Sequence, residues 1–398
     1  MIIGIIREEK QPADKRVAFN PQQCKKIQQL YPGTRMLIQP SPDRCFADSE
    51  YVNAGVELTD DLTSCDVLFG IKEVPPIHLI ENKTYLFFSH TIKKQPHNRG
   101  LLRECLRKNI RLIDYELLTW ENGSRILGFG RFAGIVGGHN TLLAWGGKSG
   151  HFILKPAWKL PDFDALINQY SGLSLPNVKI IITGDGRVSH GVIEMFDKIG
   201  IREVTPRAFL EDQFQEAVYV HLRSEHYYEH KEHRPWDKSQ FYHSPEDYYS
   251  VFRPYYRKAD ILINGIFWKE GVPAFFSKEE MKEEAFRIRV IGDISCDIPG
   301  SIPCTLRSTT IESPVYGYHP YLEKETEPYL PHTIDVMAVG NLPCELPVDA
   351  SSGFGDDLIR SVVPHFMETN NSDIITRAII CENGNLMPKY LYLTDYIS

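Results

Sequence analysis

A chain of 398 residues exceeds what a single hydrophobic core usually serves, so two domains are expected. With 42% hydrophobic and 24% charged residues the composition is that of an ordinary globular protein, and a net charge of -8 offers no basic footprint for nucleic acid. The 8 cysteines include no Cys-x-x-Cys pair and no regular spacing, which disfavours a zinc site or a disulfide framework and points to a reducing, cytoplasmic setting.

The opening run "MIIGII" is much shorter than a signal h-region and turns acidic at once, while no stretch approaches the roughly 20 apolar residues of a membrane span. A folded chain with no membrane partner is therefore expected. Strand-like runs follow in order before residue 117: "IIGII", "MLIQP", "DVLFGIK", "TYLFFSH" and "IRLIDYE", with helical segments between them. That alternation is the pattern of a parallel, doubly wound sheet.

Next, "RFAGIVGGHNTLLAWGGKS" (131–149) reads as a helix crossing between domains, its small residues at 133, 134, 137 and 138 allowing close backbone approach. A second strand series begins at "VKIIITG" and continues through "IREVTP", "ADILING" and "IRVIGD". Residues 211–258 interrupt it with a segment dense in Tyr, His and Glu. There His226, His230 and His233 have helical spacing that would suit a metal, but the plainer reading is a solvated insertion or interface helix, and no metal is expected. In "SKEEMKEE" (277–284), Ser277 and Glu280 form a capping-box pattern that should open an exposed, charged helix. A second crossing helix, "LPVDASSGFGDDLIRSVVPHF", precedes a last strand in "IITRAIICENG". The expected fold class is α/β, with two Rossmann-like doubly wound parallel-sheet domains. The first is discontinuous, residues 1–131 plus 342–398; the second is 132–341, with its insertion at about 211–258.

Open parallel sheets bind ligands outside the carboxyl ends of their strands. Three strands of the first series end on polar residues: Lys72 followed by Glu73, then His90, then Glu116. Carboxylates and partial burial around a lysine can bring it toward neutrality, where it acts as a base. Arg16, Lys93 and Gln95 are candidates to hold substrate carboxylates. In "KIIITGDGRVSHGV" (179–192), Gly184 and Gly186 would let the backbone approach a pyrophosphate, with Arg187 and Val188 opening the helix that follows. The third glycine, Gly191, arrives two residues late for the usual pattern. An acid normally stands roughly 20 positions on, where it meets the adenosine ribose. Here that region holds Thr205 and Arg207, which favours NADP(H) over NAD(H).

The segments "REEKQPADKRVAFNP", "FFSHTIKKQ", "RLIDYELL", "GSRILGFGRFAGIVGG" and "VGNLPCELPVDAS" resemble the superfamily of alanine dehydrogenase and lysine-forming saccharopine dehydrogenase. "TGDGRVSHG", "TTIESP" and "NGNLMPKYLYL" are most similar to the lysine-2-oxoglutarate reductase half of bifunctional aminoadipic semialdehyde synthase. The resemblance implies an active site in the cleft between the two domains, and interconversion of saccharopine with L-lysine and 2-oxoglutarate. It implies that Lys72 is the catalytic lysine and His90 the acid-base histidine, with Glu116 and Glu73 tuning them. Arg125 and Phe129 join Arg16, Lys93 and Gln95 around the substrate. Asn264, Gly265, Asp293 and Asn341 fall near the dinucleotide, with Asp297 an alternative to Asp293. In that family the late third glycine is normal. Since the sequence stops after "LYLTDYIS", only the first of the bifunctional enzyme's two reactions is expected. Alternatives are an alanine dehydrogenase-like or other opine-type enzyme and a non-catalytic dinucleotide-binding regulator; the oligomeric state is not legible.

Overall fold

Short, continuous apolar runs in the first third of the chain form β1 (Ile2–Ile5), β2 (Arg35–Ile38), β3 (Glu57–Leu58), β4 (Val67–Phe69), β5 (Thr84–Phe87) and β6 (Arg111–Asp114). Each of the longer runs is buried along nearly its whole length, as strands covered on both faces must be. They pair in parallel in the order β3-β2-β1-β4-β5-β6, so the carboxyl ends of β1, β4, β5 and β6 share one edge. The computed structural model describes residues 1–367 and 372–398. It divides into two units, Met1–Phe129 with Pro347–Ser398, and Gly130–Leu346.

The second unit opens with the helix Gly130–Ser149. Its strands are β7 (Lys179–Thr183), β8 (Arg202–Glu203), β9 (Val218–Leu222), β10 (Tyr228–His230), β11 (Tyr248–Ser250), β12 (Ile261–Asn264), β13 (Val290–Asp293), β14 (Val315–His319), β15 (Lys324–Thr326) and β16 (Ile334–Met337). The main sheet runs β8-β9-β7-β12-β13-β16-β14-β15, parallel except at β14 and β15. Strand order reverses at β7, the kind of switch point where such sheets bind ligands. The chain then returns to the first unit, where β17 (Ile379–Glu382) and β18 (Asn385–Leu386) add to β6 antiparallel. Asn383 and Gly384, with φ of 52° and 70°, supply the left-handed turn between them. Both sheets are thus mixed; the pairs β14–β15 and β17–β18 join by tight hairpins, which are antiparallel of necessity.

The Tyr- and His-rich insertion is not one helix, and it is solvated only in part: residues 231–235 and 237–239 are exposed while most of its aromatic residues are buried. β10 and β11 form an antiparallel hairpin, with a short helix at Lys238–His243, around buried Tyr227, Tyr228, Phe241, Tyr248 and Phe252. His226 accepts the Arg223 N–H at 2.9 Å and His230 is buried in β10, so the three imidazoles share no helical face. Among the described residues no group of three metal-ligand side chains assembles. At "SKEEMKEE" the reciprocal Ser277–Glu280 caps form, at 2.8 and 3.1 Å, yet only a single 3-10 turn at Glu280–Lys282 follows. The backbone turns extended at Glu283, so the cap has no helix to propagate. Among the described residues no helix is long and apolar enough to cross a membrane.

Candidate functional site

The carboxyl edge of the first sheet gathers the strand-end residues. After β5, Ser89 is anchored by Asp114, which accepts its N–H at 3.0 Å and its hydroxyl at 2.5 Å. The next residue, His90, takes φ of 52°, a left-handed conformation rare outside glycine. This turn brings His90 Nδ1 within 2.5 Å of Glu73 Oε1, and Lys10 Nζ lies 3.1 Å from the other carboxylate oxygen. Burial acts to raise the Glu73 pKa, but the bonds from His90, the backbone and Lys10 outweigh it and hold the carboxyl far below its ordinary value.

Lys72 precedes Glu73 on the loop after β4. Burial first, then Arg16 and Lys10, push its ammonium below the ordinary lysine pKa, which favours the neutral amine a base requires. The loop is set by Glu8, beyond the end of β1, which accepts the N–H groups of Ile71 and Lys72 at 2.6 and 2.9 Å. Burial and the Asp14 carboxylate push Glu8 up to about 8. Neither Glu8 nor Asp14 stands out in the sequence, where the polar ends of β4, β5 and β6 draw attention and that of β1 does not.

At the end of β6, Glu116 meets Lys93 Nζ at 2.9 Å and Arg125 at 3.4 Å through the same oxygen, Oε1. Its Oε2 is buried and has no hydrogen-bond partner among the described residues. Burial raises the Glu116 pKa, but Lys93, Arg125 and His90 together bring it below the ordinary value. Gln95 accepts from Asn98 at 3.4 Å, and Asn98 also reaches Glu73 at 3.4 Å. Arg16 is buried, clamped on Asp14 by two bonds of 2.9 and 2.6 Å and lying 4.1 Å over the Phe129 ring. Phe129 stacks on Phe354 at 4.6 Å.

In the second unit, β7 runs into Gly184, whose φ of 106° and closeness to Gly265, 2.6 Å from a would-be Cβ to that carbonyl oxygen, require glycine. Gly186 precedes the helix Arg187–Ile199 and faces open space. A cavity of about 340 Å³ lies over this turn, lined by Gly184, Gly186, Arg187, Val188 and Gly265, among others. A turn whose two glycines leave the backbone open, at the start of a long helix, fits the pyrophosphate of a dinucleotide. Gly191 serves helix packing instead. A Cβ there would lie 2.1 Å from Arg131 O, so the glycine lets the helices Gly130–Ser149 and Arg187–Ile199 touch. Ser189 occupies the place of the usual third glycine, exchanging bonds of 3.1 and 2.9 Å with the Gly186 backbone.

Asn264 and Asp293 lie at the same sheet edge but are fully engaged below it. Asn264 donates to Asp293 at 2.8 Å and Ser301 at 3.0 Å, and Thr305 donates to Asp293 at 2.5 Å. Burial pushes both Asp293 and the half-buried Asp297 upward. Asn341 donates to Cys344 Sγ at 2.8 Å. The structure places Thr205 and Arg207 away from the cavity: Thr205 caps the helix Pro206–Glu211, Arg207 pairs with exposed Glu211, and neither is among the cavity's lining residues. Counting about 20 residues from the turn assumes that the next strand lies beside β7. Here the two-residue β8 sits outside β9, and β9 is the neighbour. The residue that follows β9 is Arg223, and it does line the cavity.

The two sheets define an α/β protein whose fold is like that of alanine dehydrogenase. An L-alanine dehydrogenase structure superposes with a TM-score of 0.67 over 100% of both chains at 16% identity, and a transhydrogenase from Sinorhizobium meliloti with 0.64 over 97% of this chain and 100% of the other at 13% identity. These likenesses are of fold. Residues 4–136 match the alanine dehydrogenase/PNT N-terminal domain. Beyond that domain, the sequence is similar to aminoadipic semialdehyde synthases and saccharopine dehydrogenases. It is 30% identical to mitochondrial alpha-aminoadipic semialdehyde synthase of Mus musculus over 98% of its own length, and 28% identical to the Arabidopsis thaliana protein. It spans about half of these relatives, 47% and 41%. It is 24% identical to saccharopine dehydrogenase [NAD(+), L-lysine-forming] of Yarrowia lipolytica over 94% of both chains.

Proposed function

We propose that this protein is a nicotinamide-dependent oxidoreductase interconverting saccharopine with L-lysine and 2-oxoglutarate. The observation that carries the reading is the shared edge of β4, β5 and β6, where Lys72 with a lowered pKa, the Glu73–His90 pair and the Glu116–Lys93 pair sit together. Similarity over 94% of the chain to a relative named saccharopine dehydrogenase [NAD(+), L-lysine-forming] supports it. Residues 1–131 with 342–398 serve the substrate and 132–341 the dinucleotide.

In the condensing direction, the lysine side-chain amine adds to the keto carbon of 2-oxoglutarate to give a carbinolamine. His90, oriented by its contact with Glu73, protonates the departing hydroxyl, and water leaves as the imine forms. Bound NADPH or NADH supplies the hydride. Lys72 manages the proton on the substrate nitrogen and, in reverse, removes it as a neutral amine. Glu116 fixes Lys93 and Arg125, whose charges suit substrate carboxylates. Buried Arg16 acts beside Phe129, where its charge depresses Lys72. The test is oxidation of NADPH and of NADH with L-lysine and 2-oxoglutarate, saccharopine being identified by mass spectrometry. Turnover only with ammonia and pyruvate would assign alanine dehydrogenase activity instead. Dinucleotide binding without turnover of any amine and keto acid pair would favour a regulator.

A further inference from the structure

We propose that Arg223 and Lys238 form a recognition site for the 2'-phosphate of NADP(H), built jointly by the end of β9 and the aromatic insertion. The inference rests on the dinucleotide reading of the glycine turn and goes beyond it by naming the groups that select the cofactor. In a doubly wound sheet the adenosine ribose lies beyond the strand next to the glycine-turn strand. That strand is β9, and the residue after it is a cation where an NAD site would carry an acid. Lys238 enters the same cavity from the insertion.

The insertion holds Lys238 in place. Asp237 caps the helix that Lys238 begins, accepting the Gln240 N–H at 2.9 Å, and Trp236 packs on Phe241 and Tyr248 at 5.0 and 5.5 Å. Both cations face Asp185 of the glycine turn, Arg223 at 3.3 Å and Lys238 at 3.7 Å. These separations are long, and the side chains are 53% and 67% exposed, so the pairs are weak and exchangeable. A dianionic phosphate offers both cations a stronger acceptor than one carboxylate does. With Arg187, three cations face two carboxylates, Asp185 and Glu225, around the cavity. Glu225 is the group that would serve NAD(H), by accepting from ribose hydroxyls. It stands two residues farther from the strand end than Arg223, and one carboxylate against two cations does not set the preference.

The experiment is a calorimetric titration of the full chain with 2',5'-ADP and with 5'-ADP, which differ only in the phosphate concerned. The expected result is about tenfold or more tighter binding of 2',5'-ADP, an advantage that shrinks with salt. In R223A/K238A the ratio should fall to about one while 5'-ADP affinity holds; R207A should keep the full ratio. Equal binding of the two ligands by the unaltered protein overturns the proposal and leaves the dinucleotide reading standing. Failure to bind either ligand, NADPH or NADH overturns both. A double variant that keeps the full preference, with an unchanged melting temperature, also overturns it.

Discussion

The two sheet edges carry charge in opposite styles. At the first, His90 and Glu73 meet at 2.5 Å with side chains 19% and 12% exposed, and Lys93 meets a Glu116 that is 7% exposed at 2.9 Å. At the second, Asp185 is met at 3.3 and 3.7 Å by cations that are mostly in solvent. In both short pairs the carboxylate is sheltered, so breaking one leaves a carboxylate with neither water nor partner and the geometry is held. Open pairs cost little to exchange. The first arrangement suits proton transfer at a set geometry, and the second suits capture and release of a diffusing anion.

The comparison is broken most directly at Lys72. K72M should lower kcat by about 10²–10⁴, the range for losing a general acid-base group, while leaving NADPH affinity within about twofold. Fluorescence titration beside steady-state assays checks both halves; a matching loss of cofactor affinity would contradict the separation of roles. A smaller effect, on stability, should follow from G191A. Its Cβ would strike Arg131 O at 2.1 Å, forcing two helices of the second unit apart. A loss of about 1–3 kcal/mol is expected in denaturant unfolding, together with weaker dinucleotide binding as the turn shifts. Unchanged stability would mean that the helices separate freely.

Glu8 sharpens the contrast through pH. Its pKa rises from 4.5 to about 8 in the folded protein, so between those values the folded state keeps a proton that the unfolded chain has released. Stability contributed at Glu8 is therefore present below pH 4.5 and declines as pH rises toward 8, at up to about 1.4 kcal/mol per pH unit. E8Q, which mimics the protonated acid, should flatten that decline in melts taken from pH 5 to 8. An identical pH profile in the variant would remove Glu8 from the account.

Much of this was legible from the residues. Apolar runs ending in Lys72, His90 and Glu116 marked strands and their carboxyl ends, and a parallel sheet converts sequence order into a shared edge. Glu8 was missed because its effect depends on β1 lying beside β4, and pairing order is not written in any local pattern. The insertion misled for a related reason. His226, His230 and His233 have helical spacing by coincidence, and the better signal was the density of Tyr and Phe, which only a core can shelter.

The ribose position shows the same limit and carries the smallest expected effect. Thr205 lies at the helical distance from the glycine turn where an acid would select NAD(H), so from sequence alone T205D should shift preference toward NADH. In the fold, Thr205 Oγ1 accepts the Ala208 N–H at 3.2 Å as the cap of a surface helix, outside the cavity that Arg223 lines. Aspartate caps a helix at least as well as threonine, and its charge favours the helix N-terminus. T205D should therefore change stability by no more than about 0.5 kcal/mol and leave the NADPH to NADH ratio untouched, as read by parallel titrations. R223D places the same charge at the end of β9 and should invert that ratio. A shift with T205D and none with R223D would return the ribose to the end of β8 and refute the sheet-order argument.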